Sequence, residues 1–325
     1  MRVDDPTETD ESADLEVTST STSTSAPRRA TAKRWAPVVL GILVLAIATL
    51  AVIGPVRESG YTGDDAVNFL FRDYLREGDS TPYEHFRFYT EDWMEKQGRF
   101  FPGAVAEGTA VWWFLDTHSL YKGFQFLVVA LNLLLLALVV RQLSRQWAPA
   151  FLAVAIVLSS IQFRLYHDPV LSFSGLLPVA MGAILGTFLV LGSWQRHGWW
   201  WLLPGAVLLW TFALTAYEIA YLLTPAVLLY VWLVPGDRQR RIVSSAIVLV
   251  PTTILFGIVM SLRDNAEQLA PAYTTRVQIS KILPTAVYQL VGAIPGNVPA
   301  FRTDPSLGEL IEGHEVGFAL LTAMV

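Results

Sequence analysis

The sequence has no cysteine among its 325 residues. This absence excludes disulfides, thiolate nucleophiles and cysteine-ligated zinc or iron–sulfur centres, and it leaves the redox compartment open. The sequence also has no GxxxxGK(S/T), GxSxG or HExxH motif. P-loop nucleotide hydrolysis, esterase-type chemistry and zincin-type proteolysis therefore have no support in the residues.

Charged residues are scarce as well. They make up 16% of the chain against 53% hydrophobic residues, and the mean hydropathy is +0.43. This apolar excess is more than one soluble core needs, and it predicts a membrane protein. The net charge of −5 comes mainly from acids in the N-terminal tail and between Arg57 and Ser119. Because the sequence shows no basic groove, we expect the lipid bilayer as a partner and no nucleic acid.

The first 34 residues read as a disordered cytoplasmic tail. They are acidic at first and then alternate Thr and Ser from Thr18 to Ser25, a composition that cannot bury enough apolar surface to fold. The apolar run behind this tail comes too late and is too long for a signal peptide, so we expect it to remain as an anchor. Basic residues precede the anchor and predict a cytoplasmic N-terminus: Arg28, Arg29, Lys33 and Arg34.

Seven segments have the composition of membrane spans, which need roughly twenty apolar residues at about 1.5 Å rise each. They are Ala36–Val56, Gly123–Val140, Ala148–Phe163, Phe173–Trp194, Trp199–Thr215, Ile219–Val234 and Ile242–Leu262. The fifth and sixth must form a hairpin, since one helix across both would be far longer than the bilayer is thick. We therefore expect an all-α polytopic membrane protein of about seven to eight transmembrane helices over residues 35–325. Val316–Val325 is too short to cross, so we expect either that a last helix is only partly represented or that the chain is shorter than the functional unit its pattern belongs to.

Basic loops alternate with this topology. Arginines concentrate in the loops assigned to the cytoplasm, namely Arg141, Arg145, Arg196, Arg238, Arg240 and Arg241. The predicted outer loops are residues 57–122, 164–172, 216–218 and 263–314. Within the first of them we expect an amphipathic helix over Asp65–Leu75 and an interfacial or re-entrant segment over Gly103–Leu115. We expect a multi-pass protein of the plasma (inner) membrane with its polar chemistry on the extracytoplasmic face.

The sharpest local signal is Asp64-Asp65, a few residues after the first span. Adjacent carboxylates repel each other, so one can hold its proton more tightly and act as a general base or a cation ligand. Neighbouring residues of a helix point about 100° apart, so only one of the two is expected to face a substrate. The alternative interpretation is a helix cap, because acidic residues favour helix starts.

The order of first span, outer Asp64-Asp65 pair and juxtamembrane helix resembles the GT-C superfamily of integral membrane glycosyltransferases. Short segments farther along add to a likeness with its bacterial members: Gly98-Arg99-Phe100-Phe101-Pro102, Tyr166-His167-Asp168-Pro169 and Tyr217-Glu218. Known members commonly have more spans, often followed by a periplasmic domain. The resemblance implies a polyprenyl-phosphate-linked sugar as donor, with Asp64 or Asp65 activating an acceptor hydroxyl or holding a divalent cation such as Mg²⁺ or Mn²⁺.

Such a transfer also needs donors for the departing phosphate. Arg99, Arg164, His167, Arg276 and Lys281 are candidates on the outer face, with Tyr166 and Tyr217 as further substrate-binding candidates. Contact with lipid phosphate or snorkelling is the alternative for each cation. His167 beside Asp168 could shuttle a proton, hold phosphate or bind a metal, or else form a turn before Pro169. Glu218 lies near the hydrocarbon edge, where a charge must be hydrated or paired, and a solvated helix start is its alternative role.

The leading hypothesis is an inverting membrane glycosyltransferase that moves a sugar from a polyprenyl-phosphate donor to an envelope glycan, lipid or protein. The catalytic candidates are Asp64, Asp65, His167, Asp168 and Glu218. A transporter or flippase for a lipid-linked or envelope precursor is a second hypothesis, although the spans carry their charges at their ends. A non-catalytic membrane scaffold, in which the acids are caps and lipid contacts, is the third.

Overall fold

The computed structural model describes residues 27–61, 64–161 and 175–265, and all regular structure in these ranges is helical. The helices are α1 (Pro27–Ile53), α2 (Asp64–Glu77), α3 (Pro82–Gln97), α4 (Pro102–Phe114), α5 (His118–Ser144), α6 (Trp147–Ser160), α7 (Leu176–His197), α8 (Leu202–Ala216), α9 (Ile219–Leu233) and α10 (Arg238–Asn265). A short 3-10 helix, Gly54–Glu58, follows α1. The all-helical prediction is confirmed for this part of the chain.

The seven predicted spans each coincide with an apolar helix. Four of these helices are long and apolar enough to cross a membrane: Val38–Glu58, His118–Ser144, Leu176–His197 and Arg238–Asp264. Trp147–Ser160, Leu202–Ala216 and Ile219–Leu233 are shorter apolar helices. Large apolar side chains remain exposed along them, such as Leu127 at 63% and Leu222 at 80%, and lipid is the solvent that suits this surface. The chain is a helical membrane protein.

Two clusters of buried apolar residues hold the helices together. One joins α7, α8, α9 and α10 around Trp210, whose indole nitrogen donates to Val248 O and Thr252 Oγ1 at 3.0 Å each. The other joins the last turns of α1 to α5 and α6 around Val129 and Val154. The chain divides into two units, Met1–Leu40 and Gly41–Val325, and both clusters belong to the second.

Helices α5 and α7 run in the same direction. A side chain on Gly175, just before α7, would touch Gln125 in the second turn of α5, and near the other end Gln142 bonds Ser193. Between Tyr121 and Arg141, α5 extends about 30 Å. We call the end that holds Asp65, Glu107 and Glu218 the acid end, and the end that holds Arg141, Arg145 and Arg196 the arginine end.

The predicted outer segment 57–122 is mostly helical. The amphipathic helix predicted from Asp65 is α2, and the segment predicted from Gly103 is α4. Helix α3 was not predicted, because its residues are largely polar. Its start follows a capping box in which Glu84 N donates to Thr81 Oγ1 at 3.2 Å and Thr81 N donates to Glu84 Oε2 at 2.7 Å.

Three helices begin earlier than hydropathy predicted. Helix α1 begins at Pro27, so residues 27–34 belong to a helix and not to the tail, and a proline at the first helical position suits this start. Helix α5 begins at His118 and α10 at Arg238, because helices extend past their apolar stretches into polar residues. Helices α8 and α9 are separate, as the predicted hairpin requires. The expected disorder of residues 1–26 and the expected partial last helix lie outside the described residues.

Candidate active site

Asp65 lies in the first turn of α2 and its side chain is fully buried. A buried carboxylate needs hydrogen-bond donors, because leaving water without them is costly. Tyr121 on α5 donates its hydroxyl proton to Asp65 Oδ2, and Gln125 Nε2 lies 3.5 Å from the same oxygen. Asp65 is therefore held by side chains of a helix more than fifty residues away in the sequence.

The hydrogen bonds around Asp65 form a directed relay. Lys122 Nζ can only donate, and it lies 3.0 Å from Gln125 Oε1, which orients the Gln125 amide. The amide nitrogen therefore faces the Tyr121 hydroxyl oxygen, at 2.8 Å, and donates to it. The Tyr121 proton is then directed at Asp65. Because every bond in the relay points towards Asp65, the arrangement stabilises Asp65 as an ionised acceptor.

Aromatic rings enclose the relay on one side. Tyr61, Phe69 and Tyr121 have ring centroids 4.2 to 5.5 Å apart, and Trp112 packs 4.7 Å from Phe69. Burial is the main reason that the pKa of Tyr61 is raised, and the Asp65 carboxylate raises it further while Arg72 opposes it. Water is kept from the Asp65 side of this cluster, which strengthens every hydrogen bond within it.

Helix α2 is fastened to the end of α4 by two arginines. Arg72 Nη1 donates to Trp112 O at 3.4 Å, and Arg76 Nη2 donates to Trp113 O at 2.7 Å. Both carbonyls belong to the last turn of α4, where no intrahelical donor exists and the helix dipole favours cations. These contacts hold α4 beside Asp65, and buried Glu107 of α4 interacts electrostatically with the Tyr121 hydroxyl.

A second polar group at the acid end joins three elements. Arg99 Nη2 contacts Glu218 Oε2 at 3.2 Å, and Arg263 Nη2 contacts Glu218 Oε1 at 3.0 Å. Arg99 also lies over the rings of Phe101 and Trp93, with its guanidinium carbon 4.1 and 5.0 Å from their centroids. The left-handed backbone of Gly98 (φ +60°) allows this turn between α3 and α4. Two guanidinium groups thus converge beside the turn between α8 and α9.

Helix α4 connects the two polar groups. A Cβ on Gly103 would lie 2.6 Å from Thr215 Oγ1 and 2.9 Å from Ala216 N, so the glycine allows α4 to pack directly on the end of α8. Glu107 follows one helical turn later, about 6 Å along the axis. The Asp65 relay and the Arg99–Glu218–Arg263 group therefore both lie next to α4, at one end of the bundle.

The structure brings together only some of the predicted site residues. Asp65 is in the relay, and Arg99 pairs with Glu218, which stands at the N-cap position of α9 without a side-chain capping hydrogen bond. Asp64 opens α2, and half-buried Tyr217 ends α8 beside Glu218. The side chain of Asp64 and six predicted residues lie outside the described part: Arg164, Tyr166, His167, Asp168, Arg276 and Lys281.

Several site residues were not predicted. Tyr121, Lys122 and Gln125 had a signal in their spacing, because Gln125 follows Tyr121 by four residues and Lys122 by three, and residues three or four apart are neighbours on a helix surface. Glu107 and Arg263 had no comparable signal, since nothing in the sequence shows which distant residues they approach.

The described residues do not make up a divalent-cation site. They contain no group of three or more His, Asp or Glu side chains that could hold a metal ion. Asp65 Oδ2, one predicted ligand, already accepts hydrogen bonds from Tyr121 and Gln125. Mg²⁺ and Mn²⁺ need several oxygen ligands, so the described side chains would not suffice for either.

Comparison of the chain with models of protein families, with curated proteins and with solved structures gave no match in any of the three.

Proposed function

We propose that the chain is an inverting membrane glycosyltransferase of the GT-C type. It would transfer a sugar from a polyprenyl-phosphate donor to an acceptor hydroxyl of the cell envelope, on the extracytoplasmic face of the plasma membrane. The observation that carries this proposal is the directed relay that ends on buried Asp65, at the same end of the bundle as two convergent arginines.

Asp65 is the proposed general base. The acceptor hydroxyl oxygen forms a bond to the anomeric carbon of the sugar, and its proton passes to the Asp65 carboxylate. The bond from that carbon to the phosphate oxygen breaks, and its electron pair leaves with the polyprenyl phosphate. The relay from Lys122 through Gln125 and Tyr121 directs hydrogen-bond donors towards the Asp65 carboxylate, which favours its ionised form before the transfer.

Arg99 and Arg263 are the proposed partners of the leaving phosphate. Negative charge grows on the phosphate as its bond to the sugar breaks, and a guanidinium group can grip two phosphate oxygens at once. Glu218 holds the two guanidinium groups in place from the turn between α8 and α9.

The test is sugar transfer by the full chain in membranes, supplied with polyprenyl-phosphate sugars extracted from the same membranes. We expect Asp65→Asn to lower the rate at least about a hundredfold, the usual contribution of a general base. Glu77→Gln is the matched control, because Glu77 is an exposed acid at the end of the same helix. Its rate should stay within about twofold of the parent.

Three outcomes would contradict the proposal in different ways. Full activity of Asp65→Asn would remove Asp65 from catalysis, and loss of activity in Asp64→Asn alone would transfer the role of base to its neighbour. Movement of a lipid-linked sugar across liposomes holding the full chain, with no transfer to any acceptor, would identify a flippase instead.

A further inference from the structure

An open pocket of about 510 Å³ lies at the arginine end, between the last turns of α5 and α7. Its lining consists of Leu138, Arg141, Gln142, Arg145, Leu189, Ser193 and Arg196. The lining thus contains three arginines, two uncharged polar side chains and two leucines, and it contains no carboxylate.

The charge around this pocket is strongly one-sided. The parts of the chain that meet at the arginine end contain six arginines, counted over residues 138–161 and 189–241. Asp237 is the one acid of these segments besides Glu218, which lies at the acid end, and it is paired with Arg240 at 2.9 Å. No described acid is therefore placed to neutralise the pocket arginines.

Arg196 is the pocket arginine that has buried donor atoms without hydrogen-bond partners among the described residues. Its Nε and Nη2 atoms are buried and have no hydrogen-bond partner among the described residues. A buried donor without a partner is costly, and for a charged group the cost is larger. An acceptor with several oxygens would satisfy both atoms at once, as planar guanidinium groups do with phosphate.

The remaining polar side chains form a fixed floor. Gln142 Oε1 accepts from the Tyr230 hydroxyl at 2.6 Å, and Gln142 Nε2 donates to Ser193 Oγ at 3.3 Å. Gly192 makes this floor possible, since a Cβ there would lie 2.4 Å from the Tyr230 oxygen. The Ser193 hydroxyl accepts from Gln142, so its own proton can be donated to a ligand.

We propose that this pocket binds a phosphate group, held by Arg141, Arg145 and Arg196 and by the Ser193 hydroxyl. The group belongs to an anionic phospholipid or is free inorganic phosphate. Leu138 and Leu189 favour the lipid, because their apolar side chains can cover the first carbons beside a headgroup phosphate. The site is independent of the proposed sugar transfer, because it lies at the opposite end of α5.

The competing explanation is that these arginines only serve the helix ends. Arg141 lies in the last turn of α5 with its guanidinium carbon 4.0 Å from the Trp147 ring centroid, and Arg196 lies in the last turn of α7. Cations at helix C-termini are favourable without any ligand. If the arginines only stabilise helix ends, lipid binding should show no preference for one headgroup and should not saturate.

The experiment measures binding to the full chain, purified in a neutral detergent, by native mass spectrometry and thermal unfolding. Phosphatidylglycerol, phosphatidylcholine and inorganic phosphate are added in separate titrations. We expect saturable binding of phosphatidylglycerol, about tenfold tighter than phosphatidylcholine, and an increase in the unfolding temperature. Arg196→Gln should weaken this binding about tenfold, the effect of losing one charge-assisted contact.

Two further variants make the result decisive. Arg238→Gln removes one exposed arginine from the same end but outside the pocket, and its affinity should change less than about twofold. Leu138→Trp fills the pocket without changing its charge, and it should abolish binding even if Arg196→Gln fails to fold.

The outcomes separate the sources and the alternatives. Protection by inorganic phosphate at the same concentration as phosphatidylglycerol would identify free phosphate as the occupant of the same site. Equal binding of the anionic and the zwitterionic lipid, unchanged affinity in Leu138→Trp, or equal losses in Arg196→Gln and Arg238→Gln would overturn the proposal.

Discussion

At the acid end Glu218 accepts from two guanidinium groups, whereas at the arginine end three arginines line one pocket that contains no carboxylate. At the first end the helices bring opposite charges together, and at the second they bring like charges together around open space. Paired opposite charges between helices favour a defined arrangement, while unneutralised like charges favour binding a counter-charged ligand. The two ends are therefore expected to respond differently when charges are removed.

Removal of the Glu218 charge should have the largest effect. Glu218→Gln leaves Arg99 and Arg263, whose side chains are 11% and 22% exposed, without their shared carboxylate. We expect a loss of about 2–3 kcal/mol in the free energy of unfolding, less than for a fully buried pair because Glu218 itself is 38% exposed. Chemical unfolding of the full chain in detergent measures it.

Asp237→Asn is the matched change at the arginine end. Asp237 pairs with Arg240, but its side chain is 55% exposed. The loss in the free energy of unfolding should stay below about 1 kcal/mol, as for exposed ion pairs. Equal losses in the two variants would show that the acid end is not held together by its charges.

The close packing of α4 on α8 predicts the second largest effect. In Gly103→Ala the new methyl would lie 2.9 Å from the Ala216 nitrogen, a backbone atom that cannot turn aside. We expect a loss of about 1–3 kcal/mol from overpacking and a clear fall in sugar transfer, because α4 connects the two polar groups.

Gly205→Ala tests whether this effect is local. Gly205 lies near the start of α8, at the arginine end, where a Cβ would meet no atom within 4 Å. Alanine favours helix by about 0.5–1 kcal/mol over glycine, so this variant should be slightly more stable than the parent. A loss of stability in Gly205→Ala would contradict the packing argument.

Loss of a hydrogen bond in the Asp65 relay should lower the free energy of unfolding by less than Gly103→Ala does. Tyr121→Phe removes the hydroxyl that bonds both Asp65 and Gln125, and leaves two buried polar atoms without that partner. We expect a loss of about 1–2 kcal/mol in the free energy of unfolding, together with slower sugar transfer. Tyr83→Phe is the control, since Tyr83 is 70% exposed on α3 and should change neither quantity. Normal transfer by Tyr121→Phe would remove the relay from the mechanism.

Much of the fold could be predicted from hydropathy. All seven predicted spans correspond to apolar helices, and the Trp199–Val234 hairpin is divided at Tyr217 and Glu218. Hydropathy failed where helices are polar, so α3 was missed although Thr81 and Glu84 form a readable capping box. It also placed the start of α5 too late, because a helix can extend beyond its lipid-facing stretch.

The site was predictable only where a residue stands out locally. Asp65, Arg99 and Glu218 stand out because charges are rare near the spans. Their partners could not be predicted, since the pairing of Arg99 with Glu218 joins residues 119 positions apart and depends on how α4 packs on α8. Arg263 was interpreted as the start of a loop, and only the length of α10 brings it to Glu218.

An effect of about the same size as that of Tyr121→Phe concerns pH and compares the histidines of the two ends. Burial lowers the pKa of His85 to about 4, and its Nδ1 lies 2.9 Å from Thr109 Oγ1, between α3 and α4. Between pH 6.5 and 4 the unfolded chain binds a proton at this ring that the folded chain excludes. The contribution of neutral His85 to the free energy of unfolding is therefore fully present above about pH 6.5. This free energy falls as the pH drops towards 4.

From pH 7 to pH 5 this loss amounts to about 1–2 kcal/mol. His85→Gln keeps a hydrogen-bonding side chain that does not titrate, so its unfolding temperature should fall less between these pH values. His197 lies at the exposed end of α7. In His197→Gln the unfolding temperature should fall between pH 7 and pH 5 by as much as it does in the parent. If His85→Gln and the parent lose the same stability between pH 7 and pH 5, the junction of α3 and α4 does not exclude the proton.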